Sequence, residues 1–206
     1  MKSYPKSQKG KDKLDQLIKS SIEIIGKNGF TDASVADITR QAGVSYGLFY
    51  VYFKNKDDLL DELIRKYNHD LRYFLRISTK EFTCRIEIEK NGFRAFFKWV
   101  HENLFFFNIL LEAQIHRPEI FRWHYAMLAE RYSSGLQRSI MSGEIKPADP
   151  EVLAYMLMGV ADFLARRYIQ WESKTIDQRV IVEVDKLIER LLGREVDDRE
   201  LLKNFP

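Results

Sequence analysis

The chain has 206 residues, with 33 Lys or Arg against 30 Asp or Glu, and one cysteine. A hydrophobic share of 45% at this length describes a globular protein able to bury a core without staples, not a disordered one. Cys84 alone excludes an intramolecular disulfide framework and any multi-cysteine zinc site. The longest apolar run, 152–161, is about half of what a membrane-spanning helix needs. The basic N-terminus lacks the apolar segment and small-residue cleavage site of a secretory signal, so a cytoplasmic protein with no membrane partner is expected. The net charge of +3 hides an asymmetry: residues 1–56 carry +5 and the remainder −2. A basic head on a near-neutral body suggests a polyanionic partner for the head.

Residues 1–10, with Lys2, Lys6 and Lys9 among Ser, Pro and Gly, read as a flexible arm. Leu14, Leu17, Ile18, Ser21, Ile22 and Ile25 then share one face of a helix that should stop at Asn28-Gly29. Ser34 reads as the cap of a short second helix, with Asp37 in its first turn, and Gly43 ends it. Ser45 caps a third helix over 46–52, and Asn55 a fourth, whose apolar stripe runs to about Ile77. Five more helices are expected, roughly Glu81–Glu102, Asn103–His116, Pro118–Ser142, Pro150–Glu172 and Ile176–Leu192. No strand pattern competes, Arg85 to Glu89 being the best at five residues. The expected fold is all-α.

The stretch from Ser34 to Lys56 carries the functional signal. Two short helices joined by a tight turn at Gly43 form a helix-turn-helix pattern, whose second helix lies in the major groove of duplex DNA. Ala36, Ile38 and Ala42 can pack against Val44, Leu48 or Phe49, which leaves Ser45 and Tyr46 at the exposed start of the second helix. Phe49 and Phe53 read as core.

The wider string from Ile18 to Leu59 resembles the N-terminal domain of the TetR/AcrR family of transcriptional regulators. The matching pieces are Gly29-Phe30-Thr31, then Ser34-Val35 with Asp37-Ile38, the run from Ala42 to Phe53, and Lys56-Asp57-Asp58-Leu59. The resemblance implies DNA contacts from Ser34, Ser45, Tyr46, Gly47, Leu48, Tyr50 and Tyr52, with Lys56 as a phosphate anchor. It also implies a homodimer on a palindromic operator, an effector-sensing body and a repressor role. Tyr46 stands where the family often has Lys, and Val51 where it often has Tyr or His. Fewer charges on this helix leave the bases it reads open, and shift electrostatic affinity toward Lys2, Lys6, Lys9, Lys11 and Lys13.

Enzyme signatures are absent from the sequence: no GxGxxG, no phosphate loop, no GxSxG, no CxxC. None of the four histidines has Glu three residues before it, and His116 with Glu112 is a lone i, i+4 pair. Cys84 reads as a partly buried thiol. No catalytic residue, cofactor or metal is expected.

Residues 93–107 hold seven aromatics, followed by Phe121, Trp123, Tyr125, Met127 and Tyr132. Rings meeting imperfectly leave cavities, and Met adapts to varied ligands, although a filled aromatic core explains the same residues. The candidate effector set is Trp99, Phe106, Leu110, Trp123, Met127, Arg131, Tyr155, Met156, Phe163 and Tyr168. Arginines near an apolar slot suit an anionic head on an acyl tail, for which fatty acyl-CoA is the leading guess. The expected division is a helix-turn-helix domain over 1–54 and a sensing and dimerisation domain over 55–206, with apolar stripes on helices 150–172 and 176–192 forming the dimer. Two rivals remain: a ligandless DNA-binding regulator of the same fold, and a helical lipid-handling enzyme.

Overall fold

Small polar side chains set the starts of most helices in the computed structural model of the chain, which describes residue 5, residues 7–172 and residues 175–193. Ser7 accepts a hydrogen bond from the Gly10 N–H (3.2 Å) and opens α1 (Gln8–Asn28), so Lys9 and Gly10, expected in a flexible arm, are helical. Lys2 and Lys6 of that arm lie outside the described residues. Ser34 accepts from the Asp37 N–H (3.0 Å) to open α2 (Val35–Gln41), and α3 (Tyr46–Tyr52) follows a turn in which Gly43 has φ +65°. Asn55 accepts from the Asp58 N–H (2.9 Å) at the head of α4 (Lys56–Thr79). Then come α5 (Arg85–Glu102), α6 (Phe106–His116), α7 (Pro118–Met141), α8 (Pro150–Ala165) and α9 (Gln178–Leu192). Asp149 and Asp177 cap the last two, and α8 ends in a π-helical turn, Arg166–Gln170. Among the described residues there is no strand.

The starts of α5 and α6 fall three or four residues later than expected. The Phe82 N–H bonds the Thr79 carbonyl (3.2 Å) and the Phe106 N–H bonds the Asn103 carbonyl (2.9 Å), so tight turns occupy residues assigned to the first turns of α5 and α6. Cys84 lies just past the first of these turns, directly before α5, and is exposed, not partly buried.

The helices gather into two compact units. The first takes the described residues through Arg72 together with Glu102–Leu128; the second takes Tyr73–His101 and those from Ala129 onward. In the first, Leu17 and Ile25 of α1 share a core with Ile38, Phe49, Leu60, Leu63 and Ile64, and Phe106, Ile109 and Leu110 of α6 are equally buried. Gly26 is where α1 meets the segment before α6: a Cβ there would lie 2.4 Å from the Phe105 ring. The Asn108 amide donates to the Gly26 carbonyl (2.8 Å), one of the carbonyls that the end of α1 leaves unpaired. Arg117 grips Asp61 with two bonds of 2.9 and 2.8 Å. Asn68 and His124 form a buried polar pair, with the Asn68 amide 3.2 Å from His124 Nδ1 and 3.0 Å from its carbonyl.

In the second unit Phe93, Phe97 and Trp99 of α5 are buried, as are Leu136, Leu153, Leu157, Val180, Val184 and Ile188. The Phe93 and Phe97 rings meet edge to face at 5.9 Å, the arrangement of a filled core. Lys90 pairs with Glu189 and Arg94 with Asp185, tying α5 to α9. A buried Arg85–Glu89 pair is completed by the Tyr132 hydroxyl, which donates to Glu89.

Candidate nucleic-acid interface

Burial sorts the short α3 helix into two sides. Phe49 points inward and is fully buried, and Phe53 just past its end is nearly so; Leu48 and Tyr52 are half-buried. The opposite side presents Tyr46 (54% exposed), Tyr50 (50%) and Val51 (55%), with Gly47 between them. These four follow i, i+1, i+4, i+5 spacing, which places them on one arc of a helix. Tyr46 and Tyr50 hold each other: their hydroxyls are 3.1 Å apart and their rings 5.4 Å, and this bond raises the Tyr50 phenol above its ordinary range.

The frame beneath α3 is fixed by short-range polar contacts. The Ser34 hydroxyl donates to Asp37 (2.5 Å) and, with help from Arg40, holds that carboxyl below the usual range despite partial desolvation. The Thr39 hydroxyl donates back to the Val35 carbonyl (2.9 Å). Ser45 precedes α3 in extended conformation and is exposed, but makes no side-chain cap bond. The Tyr52 hydroxyl donates to the Gly10 carbonyl (3.3 Å), linking α3 to the start of α1.

Of the eight expected DNA contacts, Ser45, Tyr46, Gly47 and Tyr50 lie on the open side. Ser34 is engaged as a helix cap, and Leu48 and Tyr52 turn toward the flanks. Lys56 is turned inward. Its ammonium donates to the carbonyls of Phe30 (2.7 Å), Thr31 (3.2 Å) and Ala33 (2.8 Å) and lies 4.8 Å from the Phe30 ring centre. Three donors meet three acceptors within the protein, so in this structure Lys56 braces the loop before α2. A cation in the first turn opposes the helix dipole, and these carbonyls offset that cost. Val51, absent from the expected set, belongs to the open side; its spacing from Tyr46 and Tyr50 was the signal that could have found it.

The expected effector residues fall in both units. In the first unit Phe106 and Leu110 are closed inside the core, Trp123 lies under the Arg65 guanidinium (4.7 Å), and Met127 is half-buried. In the second, Trp99 is core, Arg131 is exposed, and Tyr168 is half-buried beneath Arg167. Tyr155, Met156 and Phe163 were expected to face a cavity, but all three stand on the exposed side of α8. That helix is apolar nearly all round, so periodicity could not say which stripe faces in. None of the ten lines the open groove of about 540 Å³ in the first unit, whose walls include Leu14, Ile18, Tyr52, Phe53, Glu62 and His69.

Residues 17–63 match the family described as bacterial regulatory proteins, tetR family. The fatty acid metabolism regulator protein of Bacillus subtilis (strain 168) is 43% identical over 54 residues, which is 26% of this chain and 28% of that protein. The matched stretch thus spans less than a third of that relative's length. Among solved structures, the fatty acid degradation regulator FadR of Bacillus halodurans has a TM-score of 0.74 at 22% identity, covering 85% of this chain and 94% of that one. FadR of Bacillus subtilis in complex with stearoyl-CoA has a TM-score of 0.71 at 23% identity, with 86% and 96% covered. Over the full chain the likeness is one of fold. No helix of the described residues is long and apolar enough to cross a membrane.

Proposed function

We propose that this chain, whose residues 17–63 match the tetR family of bacterial regulatory proteins, is a repressor that binds a palindromic operator as a homodimer and is released by an acyl-chain effector. The observation that carries the reading is the open side of α3, where Tyr46, Gly47, Tyr50 and Val51 stand outward on a helix anchored from behind by Phe49. An exposed helix side of this kind fits the major groove. The functional division runs between a DNA-reading head over 1–54 and a sensing and dimerising body over 55–206.

The dimer reading is supported by the outer side of α8, where Val152, Tyr155, Met156, Val160 and Phe163 are exposed, and by Leu187 and Leu191 on α9. A run of apolar side chains repeating every three or four residues is the face by which a helix packs on another. A twofold partner contributes the same helices, closing a four-helix contact. Tyr155, Met156 and Phe163 thereby move from the effector set to the dimer set.

The acyl-chain effector is supported by the fatty-acid regulators among the proteins this chain is similar to. Fatty acyl-CoA combines an apolar tail with an anionic head, and arginines such as Arg131 suit the head. Release follows by population shift: the effector favours a subunit arrangement whose recognition helices no longer match major grooves about 34 Å apart. The test is operator release titrated with acyl-CoAs of increasing chain length, against free CoA. Longer chains should release the operator at lower concentration, each buried methylene adding up to about 0.8 kcal/mol. An equal response to free CoA and long-chain acyl-CoA refutes the effector and leaves the operator reading standing.

A further inference from the structure

The open side of α3 lacks the groups that usually read bases. From Val44 to Phe53 there is no Arg, Lys, Asn, Gln, Asp or Glu. Guanine is commonly recognised by a bidentate Arg or Lys, adenine by a bidentate Asn or Gln, and cytosine by a carboxylate. Within α3 the polar side chains on the open arc are Tyr46 and Tyr50, whose hydroxyls already share one hydrogen bond (3.1 Å), and Ser45 just before the helix adds one exposed hydroxyl. The hydroxyls that remain can donate to a purine N7, a thymine O4 or a phosphate and can accept from an adenine or cytosine amino group, so they discriminate poorly. The remaining surface is apolar: the Val51 isopropyl group and the two ring faces.

One base edge in the major groove is apolar, the C5-methyl of thymine. We propose that this protein reads its half-site chiefly through thymine methyl groups packed against Val51 and the rings of Tyr46 and Tyr50. The inference rests on the operator-reading role proposed above and adds the chemistry by which the bases are told apart.

Gly47 supports the same conclusion independently. Glycine inside a helix is unfavourable relative to Ala, and it is usually kept where a Cβ would strike something. At Gly47 a Cβ would meet no protein atom within 4 Å, and the backbone is not in the left-handed region. Nothing inside the protein requires a glycine there. A surface brought from outside close to the backbone between Tyr46 and Val51 would account for it, and a groove floor carrying methyl groups is such a surface.

The experiment uses the full-length protein and an operator selected by it from random duplexes. Each half-site thymine is then replaced in both half-sites by deoxyuridine, which removes only the methyl group. Loss of one packed methyl from each half-site should weaken binding by about fifteen-fold, or about four-fold per methyl. Val51→Ala should reduce the penalty at one position to about two-fold or less, while Gly47→Ala should weaken binding to every operator without lowering Tm. Thymine and deoxyuridine operators bound equally by the unaltered protein, with scrambled DNA still rejected, would overturn methyl reading and leave the repressor assignment intact. An operator selected without half-site thymines overturns it as well. Failure to select any operator removes both.

Discussion

Lys56→Met separates two roles for a lysine at the head of α4. Met preserves the aliphatic stem and deletes the ammonium, which holds three carbonyls at 2.7, 3.2 and 2.8 Å and faces the Phe30 ring. The Thr31 carbonyl is exposed and regains water at little cost, so two part-buried acceptors dominate the loss. At about 1 kcal/mol each, with roughly 0.5 kcal/mol from the ring contact, the variant should be less stable by about 2.5 kcal/mol. For a chain of this size that lowers Tm by about 5–10 °C in a calorimetric scan. The second readout is the salt dependence of operator binding. A lysine on a phosphate contributes about 0.9 to the slope of log K against log salt concentration, whereas a lysine bonded to its own protein contributes nothing. The expected result is a lower Tm, weaker binding and an unchanged slope. An unchanged Tm with a slope reduced by about one unit per subunit would return Lys56 to the DNA backbone and refute the bracing role.

His124 is pushed down to about 4 by burial, with the Arg72 charge adding to the effect. Its folded value lies below the ordinary 6.5, so the unfolded chain takes up a proton first as pH falls, and stability should drop between about pH 6.5 and 4 by about 3 kcal/mol. Denaturant midpoints across that range should fall more steeply for the unaltered protein than for His124→Gln; equal slopes would show that His124 does not titrate as described. Phe163→Arg and Leu187→Arg alter side chains exposed in the single subunit, so light scattering should report a monomer at micromolar concentration with near-normal helical content. A persistent dimer would move the interface elsewhere. Leu164 is a poorer site for this test because it is half-buried, and an Arg there would disturb the subunit itself.

What the sequence reveals here depends on how local the determinant is. Ser34, Asn55 and Gly43 act within four residues of their own positions, so the caps and the turn of the head could be read directly. The stripe of α1 worked for the same reason: Leu17 and Ile25 have polar residues on the far side to define the inner one. On α8, Val152, Met156 and Phe163 outside match Leu153, Leu157 and Ala161 inside in apolar character, and only the packing chooses between them. The aromatic run was legible as aromatic but not as filled or hollow, because ring-against-ring fit depends on helix placement. The bracing contacts of Lys56 were illegible for a related reason: its partners lie 23 to 26 residues earlier in the chain, beyond the reach of a local pattern.

The seam between α1 and α6 bears on how such a regulator can be rebuilt. Phe105 rests on Gly26 so closely that not even a methyl group fits, Asn108 finishes the end of α1, and His116 stacks against Phe30 at 4.8 Å. The DNA-reading helices are therefore not a detachable cassette. A hybrid joined at residue 54, carrying this head on another body, would set a foreign helix under Gly26 and leave Leu17, Ile25 and Phe30 against an unmatched surface. Transplanting operator preference by changing only the outward residues of α3 leaves that seam untouched, and is the route by which new specificities can arise while the rest of the chain stays fixed.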